Sequence, residues 1–139
     1  MSAFGGLQPC PCGSGTAYAS CCGPIHDGRP AETAEALMRS RYAAYALGLL
    51  DHVFRTWHPR TRPAEVSPSP GITWTGLEIV RTVRGGPEDD TGTVEFRARL
   101  ETPQGPDELH ETSRFERRAG RWVYVDGDID PDGSGTVRS

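Results

Sequence analysis

The chain of 139 residues contains no lysine, and its fifteen basic residues are all arginine. We attribute that bias to genome composition and draw no function from it. The sequence also lacks any apolar run long enough to cross a bilayer, and its first eight residues carry neither a positive charge nor an apolar stretch. These absences exclude a transmembrane helix and a secretory signal peptide, so we expect a cytoplasmic protein without membrane association.

An excess of basic charge is missing as well. The formal net charge is −4 and the sequence pI is about 5.5, with an acidic run at Asp126, Asp128, Asp130 and Asp132. Proteins that grip nucleic acid nonspecifically need a basic face to neutralise phosphates. We therefore do not expect nucleic acid as a partner. With 35% hydrophobic and 24% charged residues, the composition is typical of one globular domain with a small appendage.

Four cysteines lie within thirteen residues, in the segment CPCGSGTAYASCC. Disulfide bonds suit small secreted chains, and a pairing that crosses between the two cysteine pairs remains possible. Tetrahedral Zn²⁺ requires four thiolates that converge from two short segments, and this spacing supplies them. In a reducing compartment we favour a closed, structural Zn²⁺ site, whose ligands would be Cys10, Cys12, Cys21 and Cys22.

The residues between the cysteines suit such a site. In extended backbone, Cys10 and Cys12 would point to the same face, because side chains alternate with a period of two. Gly13 and Gly15 permit a sharp turn, and their amides could donate hydrogen bonds to the sulfurs.

Cys21 and Cys22 are adjacent and would diverge by about 100° within a regular helix. We therefore expect a helix end there, with Gly23-Pro24 terminating the helix. His26 is close in sequence, but four thiolates already complete the site. We predict that it is a solvent-exposed turn residue and not a ligand.

Helical periodicity predicts a helix over residues 33–47, with Thr33 as its N-cap and Gly48 as its C-cap. A second, shorter helix is expected over residues 50–57, and Pro59 would end it. The proline-rich segment 59–71 is predicted to be a loop. The apolar face of the longer helix comprises Ala34, Leu37, Met38, Tyr42 and Tyr45.

Alternating segments at 72–83, 91–102, 108–117 and 121–126 predict four antiparallel strands. The apolar phase of the first strand slips at Gly76, which indicates a β-bulge and a curved strand. Two helices followed by a curved sheet predict an α+β domain, with the helices covering the concave face.

Strand phases also indicate a pocket. Val94, Phe96, Ala98 and Leu100 form one inward face, and Leu109, Glu111, Ser113 and Phe115 form another. A carboxylate in an apolar stripe is unusual, because an unpaired buried charge is costly. Either Glu111 meets a ligand or an arginine in a cavity, or its strand is an edge and the carboxylate lies in water. His110 would face away from the cavity.

The segment Trp57-His58-Pro59, with Arg62 just beyond it, is a second candidate. A histidine at a helix end can be held as imidazolium and act in acid–base chemistry or bind an anion. Alternatively, His58 is a structural residue that packs on Trp57. The acidic run beginning at Asp126 resembles the opening of a calcium loop. We reject that site, because position twelve would fall on the last residue and no second helix can follow.

The cysteine segment resembles the SEC-C motif, the zinc-binding tail also found on the translocase motor SecA. It differs from that tail in having Thr16 where basic residues follow Gly-Ser-Gly, and residues 1–28 contain no Arg or Lys. SecA-like partners are therefore weakly supported.

We call the cysteine segment the knuckle. The chain resembles the YchJ family over residues 9–128, through the knuckle, the helix segment TAEALMRSRY, the Thr-Trp-His-Pro element and the strand WVYVDG. The resemblance implies a SEC-C knuckle with its linker at residues 1–28 and a cone-shaped nuclear-transport-factor-2-like domain with a central cavity at 29–128. Residues 129–139 would be a flexible acidic tail. The predicted cavity residues are Tyr45, Trp57, His58, Arg62, Glu111, Ser113 and Tyr124.

Two functions are compatible with these features. The first is a binding or adaptor module, in which the knuckle contacts a protein partner and the cavity holds a small or peptidic ligand. The second is a small hydrolase or isomerase that uses His58 and Glu111 as an acid–base pair. The second hypothesis requires these two side chains to meet.

Overall fold

The computed structural model describes residues 7–67 and 70–129. A 3₁₀ turn at Tyr18–Ser20 is followed by three helices, α1 (Cys22–His26), α2 (Ala34–Leu47) and α3 (Leu50–Arg55). Four strands follow: β1 (Thr73–Arg84), β2 (Thr91–Thr102), β3 (Gly105–Arg118) and β4 (Arg121–Ile129). Among these described elements, no helix has the length and apolarity needed to cross a membrane. Most of the predicted acidic tail, residues 130–139, lies outside the described residues.

Helix α2 is bounded by the predicted caps. The Thr33 hydroxyl accepts a hydrogen bond from the Ala36 amide at 3.0 Å, which satisfies one of the free donors of the first turn. Gly48 has a φ of 78°, a left-handed conformation that glycine adopts without steric penalty. The apolar face of α2 is buried against the sheet, with Leu37 and Tyr42 among its core residues.

The four strands form one antiparallel sheet in the order β1-β2-β3-β4. In the central pair, Ala98 lies opposite Leu109 and Phe96 lies opposite Glu111. The inward residues predicted for β2 and β3 are all buried. The structure therefore confirms both strand phases and the α+β fold.

The predicted bulge in β1 is present. The register of β1 against β2 shifts between Trp74 and Gly76, so that Thr75 has no partner in the ladder. A further shift follows between Ile79 and Arg81, and β3 shifts against β4 at Arg114. Such irregularities bend strands, which lets the sheet curve around α2.

Helix α3 ends two residues earlier than predicted, because the chain then extends along β4. The Tyr124 amide donates to the Thr56 carbonyl at 2.8 Å, and the His58 amide donates to the Tyr124 carbonyl at 2.8 Å. These two bonds form a short parallel bridge between Trp57 and Tyr124. Strand pairing thus overrides the helical pattern at residues 56 and 57.

Two predictions about the N-terminal segment are wrong. Gly23-Pro24 does not end a helix but lies in the first turn of α1, where proline is tolerated because the first-turn amides have no helical acceptor. His26 is not an exposed turn residue. Its Nδ1 accepts a hydrogen bond from the Tyr18 hydroxyl at 2.7 Å, and its Nε2 donates to the Ser40 carbonyl at 2.8 Å. His26 therefore links the cysteine segment to α2.

Candidate functional sites

The four cysteine sulfurs converge. They lie within 4.8 Å of one another, and the sulfurs of Cys12 and Cys21 are 3.6 Å apart. A disulfide requires about 2.05 Å, so none of these thiols is bonded to another. Thiolates placed tetrahedrally at about 2.3 Å from a central ion would be about 3.8 Å apart. The observed spacing therefore fits a single metal ion.

The local backbone explains how the sulfurs meet. Gly13 and Gly15 have φ values of 80° and 85°, and they reverse the chain after Cys12. The Cys10 amide donates to the Thr16 carbonyl at 2.9 Å, which closes the loop. Cys21 follows the 3₁₀ turn and precedes α1, so the second pair comes from a helix start.

Hydrogen bonds to the sulfurs surround the cluster. The amides of Cys12 and Cys22 favour the thiolate form of Cys10, and the Ser14 amide favours that of Cys12. The Ser14 hydroxyl lies 3.1 Å from the Cys21 sulfur. Donors of this kind stabilise thiolates and orient metal ligands. The predicted donor Gly13 is not among them, because its amide donates to the Cys10 carbonyl at 3.1 Å.

In the absence of a metal ion, the pKa values of the cysteine thiols differ from one another. The Cys22 thiol donates to Cys12, which lowers the pKa of Cys12 and raises that of Cys22. Burial raises the pKa of Cys10. A bound cation would take the place of these protons, so metal binding should release them. Four sulfur donors favour a soft or borderline cation over Mg²⁺ or Ca²⁺.

A separate cavity of about 180 Å³ lies between α2 and the sheet. Its walls are mainly aromatic and apolar, and a few polar side chains converge on it. The lining residues are Met38, Arg41, Tyr42, Tyr45, Trp57, Trp74, Phe96, Ala98, Leu109, Glu111, Ser113 and Tyr124. Of the predicted cavity residues, the structure therefore places Tyr45, Trp57, Glu111, Ser113 and Tyr124 along one cavity.

Glu111 is buried, with 8% of its surface exposed. Its Oε2 accepts a hydrogen bond from the Ser113 hydroxyl at 3.0 Å and a longer one from the Tyr124 hydroxyl at 3.5 Å. Burial raises the pKa of this carboxyl. Because β3 lies between β2 and β4, the alternative of an edge strand with Glu111 in water is wrong. His110 does not line the cavity; it is buried and contacts Glu95 at 2.7 Å.

Arg41 is the cavity residue that the sequence patterns did not reveal. It is 4% exposed, and its Nη1 donates to the Val53 carbonyl at 2.9 Å and to the Thr56 hydroxyl at 2.8 Å. Its guanidinium carbon lies 5.1 Å from the ring centre of Trp57 and 4.5 Å from that of Tyr124. Its position four residues after Leu37, on the apolar face of α2, was the available signal.

His58 and Arg62 are not cavity residues. The bridge to β4 sends the adjacent side chains of Trp57 and His58 in opposite directions, since side chains alternate in extended backbone. Trp57 lines the cavity, whereas the His58 Nε2 lies 3.7 Å from Glu116. Arg62 packs over the Phe54 ring at 4.3 Å. The predicted acid–base pair of His58 and Glu111 is therefore not formed, and the enzymatic hypothesis built on it fails.

The start of the acidic run belongs to the sheet. Asp126 and Asp128 lie on β4, and Arg114 of β3 donates to them at 2.5 Å and 2.8 Å. Cross-strand pairing accounts for these two carboxylates. Asp130 and Asp132 lie outside the described residues.

Comparison with known proteins agrees with this arrangement. A profile described as the SEC-C motif matches residues 8–24, and one described as "YchJ, middle NTF2-like domain" matches residues 33–127. These matches define the class as a SEC-C cysteine motif followed by an NTF2-like domain. The chain belongs to the YchJ family, whose curated members carry the name UPF0225.

Relatives align over most of their length. UPF0225 protein SCO1677 of Streptomyces coelicolor is 54% identical over 122 residues, which cover 87% of this chain and 95% of that protein. A UPF0225 protein of Deinococcus radiodurans is also 54% identical over 122 residues, with coverage of 86% and 88%.

Two solved structures of SEC-C motif proteins share the fold. The solution structure of RPA3114 from Rhodopseudomonas palustris superposes with a TM-score of 0.79 at 35% identity, covering 88% of this chain and 99% of that one. The crystal structure from Psychrobacter arcticus gives 0.73 at 28% identity, covering 96% and 86%.

Proposed function

We propose that this protein is a zinc-stabilised binding module whose cavity between α2 and the sheet holds a small organic ligand. The observation that carries the proposal is the cavity itself, in which two buried ionisable groups, Arg41 and Glu111, face an aromatic wall. Small-molecule sites are concave and mostly apolar, with a few convergent polar groups. The cavity between α2 and the sheet has this composition.

The metal has a structural role in this proposal. Four thiolates complete the tetrahedral coordination of Zn²⁺ and leave no position for a substrate or a reactive water. Three of the four cysteines are buried, and the Arg39 guanidinium donates to the Cys12 carbonyl at 2.9 Å. The ion would fix the turn that packs against α2 and would not take part in a reaction.

The ligand function is tested by filling the cavity. Ala98 is buried on the cavity wall, so Ala98→Leu places three additional carbon atoms in the space that a ligand would occupy. A fragment library screened by ligand-observed NMR should give hits with the wild-type chain, and Ala98→Leu should lose them. Ala46→Leu, on the exposed side of α2, is the matched control and should retain them. Equal hits with Ala98→Leu would refute binding in the cavity.

The adaptor part of the proposal concerns the knuckle. The loop 13–15 is exposed beyond the cysteines, so a protein partner in the cytoplasm could reach it. Affinity capture from extract should recover partners with the wild-type chain and lose them with the double variant Cys21→Ser, Cys22→Ser. Identical recovery with both chains would rule out a role of the knuckle in that association.

A further inference from the structure

This inference rests on the proposed function and concerns the chemical class of the ligand. Its starting point is the charge of Arg41. A guanidinium remains protonated at neutral pH, and arginine is almost never fully buried unless it is paired. Within residues 7–67 and 70–129, Arg41 has two neutral oxygen acceptors and two aromatic rings, but no carboxylate within 4.0 Å.

Glu111 faces the same cavity and attracts Arg41 electrostatically, but the two described side chains form no direct ion pair. Its Oε2 is bonded to Ser113 and Tyr124, and its charge is disfavoured by burial. Both hydrogen bonds of Arg41 come from Nη1, so its other nitrogens make none among the described residues. The cavity wall therefore presents donor groups on a cation whose charge is incompletely compensated.

Trp57 supplies a second unmatched donor. Its indole Nε1–H is buried and has no hydrogen-bond acceptor in the part of the chain that the structure describes. A buried donor without an acceptor costs about 1–3 kcal/mol in typical cases. Trp57 lines the cavity beside Arg41, and its ring lies under the guanidinium. Both unmatched donors therefore belong to one end of the cavity.

We propose that the cavity binds a small organic carboxylate, whose oxygens accept hydrogen bonds from Arg41 and Trp57. A planar guanidinium matches the geometry of a carboxylate, because two parallel N–H donors meet two oxygens. The apolar body of the ligand would lie against the remaining wall, which includes Trp74, Phe96 and Leu109.

The volume of the cavity bears on the size of the ligand's apolar body. A protein cavity of about 150 Å³ lined by apolar side chains binds benzene. The cavity here is about 180 Å³, which leaves room for one ring and a carboxylate. The ligand class is therefore a monocyclic or short branched acid.

The experiment uses three monocyclic probes of similar size and different charge: benzoate, benzamide and benzylammonium. Each is titrated into the full zinc-loaded chain at pH 7.5 and followed by protein-observed NMR or calorimetry. We expect benzoate to bind at least tenfold more tightly than benzamide, and benzylammonium to bind most weakly. Equal binding of benzoate and benzamide, or a preference for benzylammonium, would overturn the carboxylate assignment while leaving a ligand-binding cavity in place.

Two variants locate the recognition group. Arg41→Met should bind benzoate and benzamide equally, and Arg41→Lys should recover part of the preference because the charge is retained without the planar fork. Glu111→Gln should bind benzoate more tightly, since the amide cannot carry negative charge. If Arg41→Met fails to fold, the wild-type probe series and Glu111→Gln still decide the question. Failure of every probe to bind the wild-type chain would overturn both this inference and the proposed cavity function.

Discussion

At the scale of single residues, ionisable side chains inside the fold define both candidate sites and the pH response. Glu111 is held in an apolar surrounding, and its pKa is raised by burial. When the pH is below the ordinary pKa of a glutamate, the carboxyl is protonated in both the folded and the unfolded chain. When the pH is above that value, the carboxyl ionises more readily in the unfolded chain. Glu111 therefore lowers the stability of the fold as the pH rises through its folded-state pKa.

Glu111→Gln should consequently stabilise the protein at neutral pH by on the order of 1 kcal/mol, because it removes a buried charge while retaining the shape. The gain should shrink towards pH 4.5, the ordinary pKa of a glutamate, where the carboxyl is ionised in only about half of the unfolded chains. Urea unfolding at pH 7.5 and pH 4.5 measures the difference. A destabilised variant at pH 7.5 would show that the ionised carboxylate has stronger partners than the two hydroxyls seen here.

His52 has the opposite pH dependence. It is 3% exposed, and burial lowers its pKa to about 3. As the pH falls below 6.5, the unfolded chain takes up a proton that the folded chain excludes. We expect this residue to remove about 2 kcal/mol of stability between pH 8 and pH 5. His52→Gln should show a correspondingly smaller loss in urea unfolding over that range, and an identical loss would contradict the assignment.

Sequence patterns identified Glu111 but missed Arg41, although both interrupt apolar faces. In the alternating pattern of β3, a single carboxylate among apolar residues is easy to recognise. The face of α2 that carries Arg41 contains several polar positions, so one arginine there does not stand out. The error for His58 has another cause. Its direction depends on the bridge between Trp57 and Tyr124, residues far apart in the chain, and no local pattern encodes that contact.

At the scale of elements, the local signals were sufficient for α2 and the strands. Thr33 and Gly48 act through bonds within one turn, and strand faces follow from alternation alone. The prediction failed where an element depends on its neighbours, as at Gly23-Pro24, which begins α1 instead of ending a helix. The start of β3 at Gly105, three residues earlier than expected, likewise depends on pairing with Thr102.

The turn between β1 and β2 gives an element-scale prediction. A methyl group added at Gly92 would lie 2.5 Å from the Gly85 Cα, whereas one added at Gly76 would meet only the end of Arg99 at 3.9 Å. Gly92→Ala should therefore destabilise the protein by about 2 kcal/mol through overpacking. The matched control, Gly76→Ala, should change stability by less than about 1 kcal/mol. Equal urea unfolding midpoints for Gly92→Ala and Gly76→Ala would contradict the close approach of Gly92 to Gly85.

At the scale of the whole molecule, the cysteine segment and the sheet domain share one buried cluster, which includes Cys12, Tyr18 and Leu37. Arg39 and His26 add hydrogen bonds between the two parts. Chelation should still leave the sheet folded, because β2 and β3 are paired with each other and not with the knuckle. We expect faster amide exchange over residues 9–24 and in the adjoining turn of α2. Simultaneous exchange of β2 and β3 would show that the metal holds the entire fold.

The identity and coordination of the metal decide whether this protein is zinc-stabilised. X-ray absorption at the zinc edge of the purified full chain is the measurement that addresses it. The proposed structural Zn²⁺ site leads us to expect one zinc per chain with four sulfur neighbours at about 2.3 Å. Nitrogen or oxygen neighbours in place of sulfur, or a chain that binds no zinc, would contradict it.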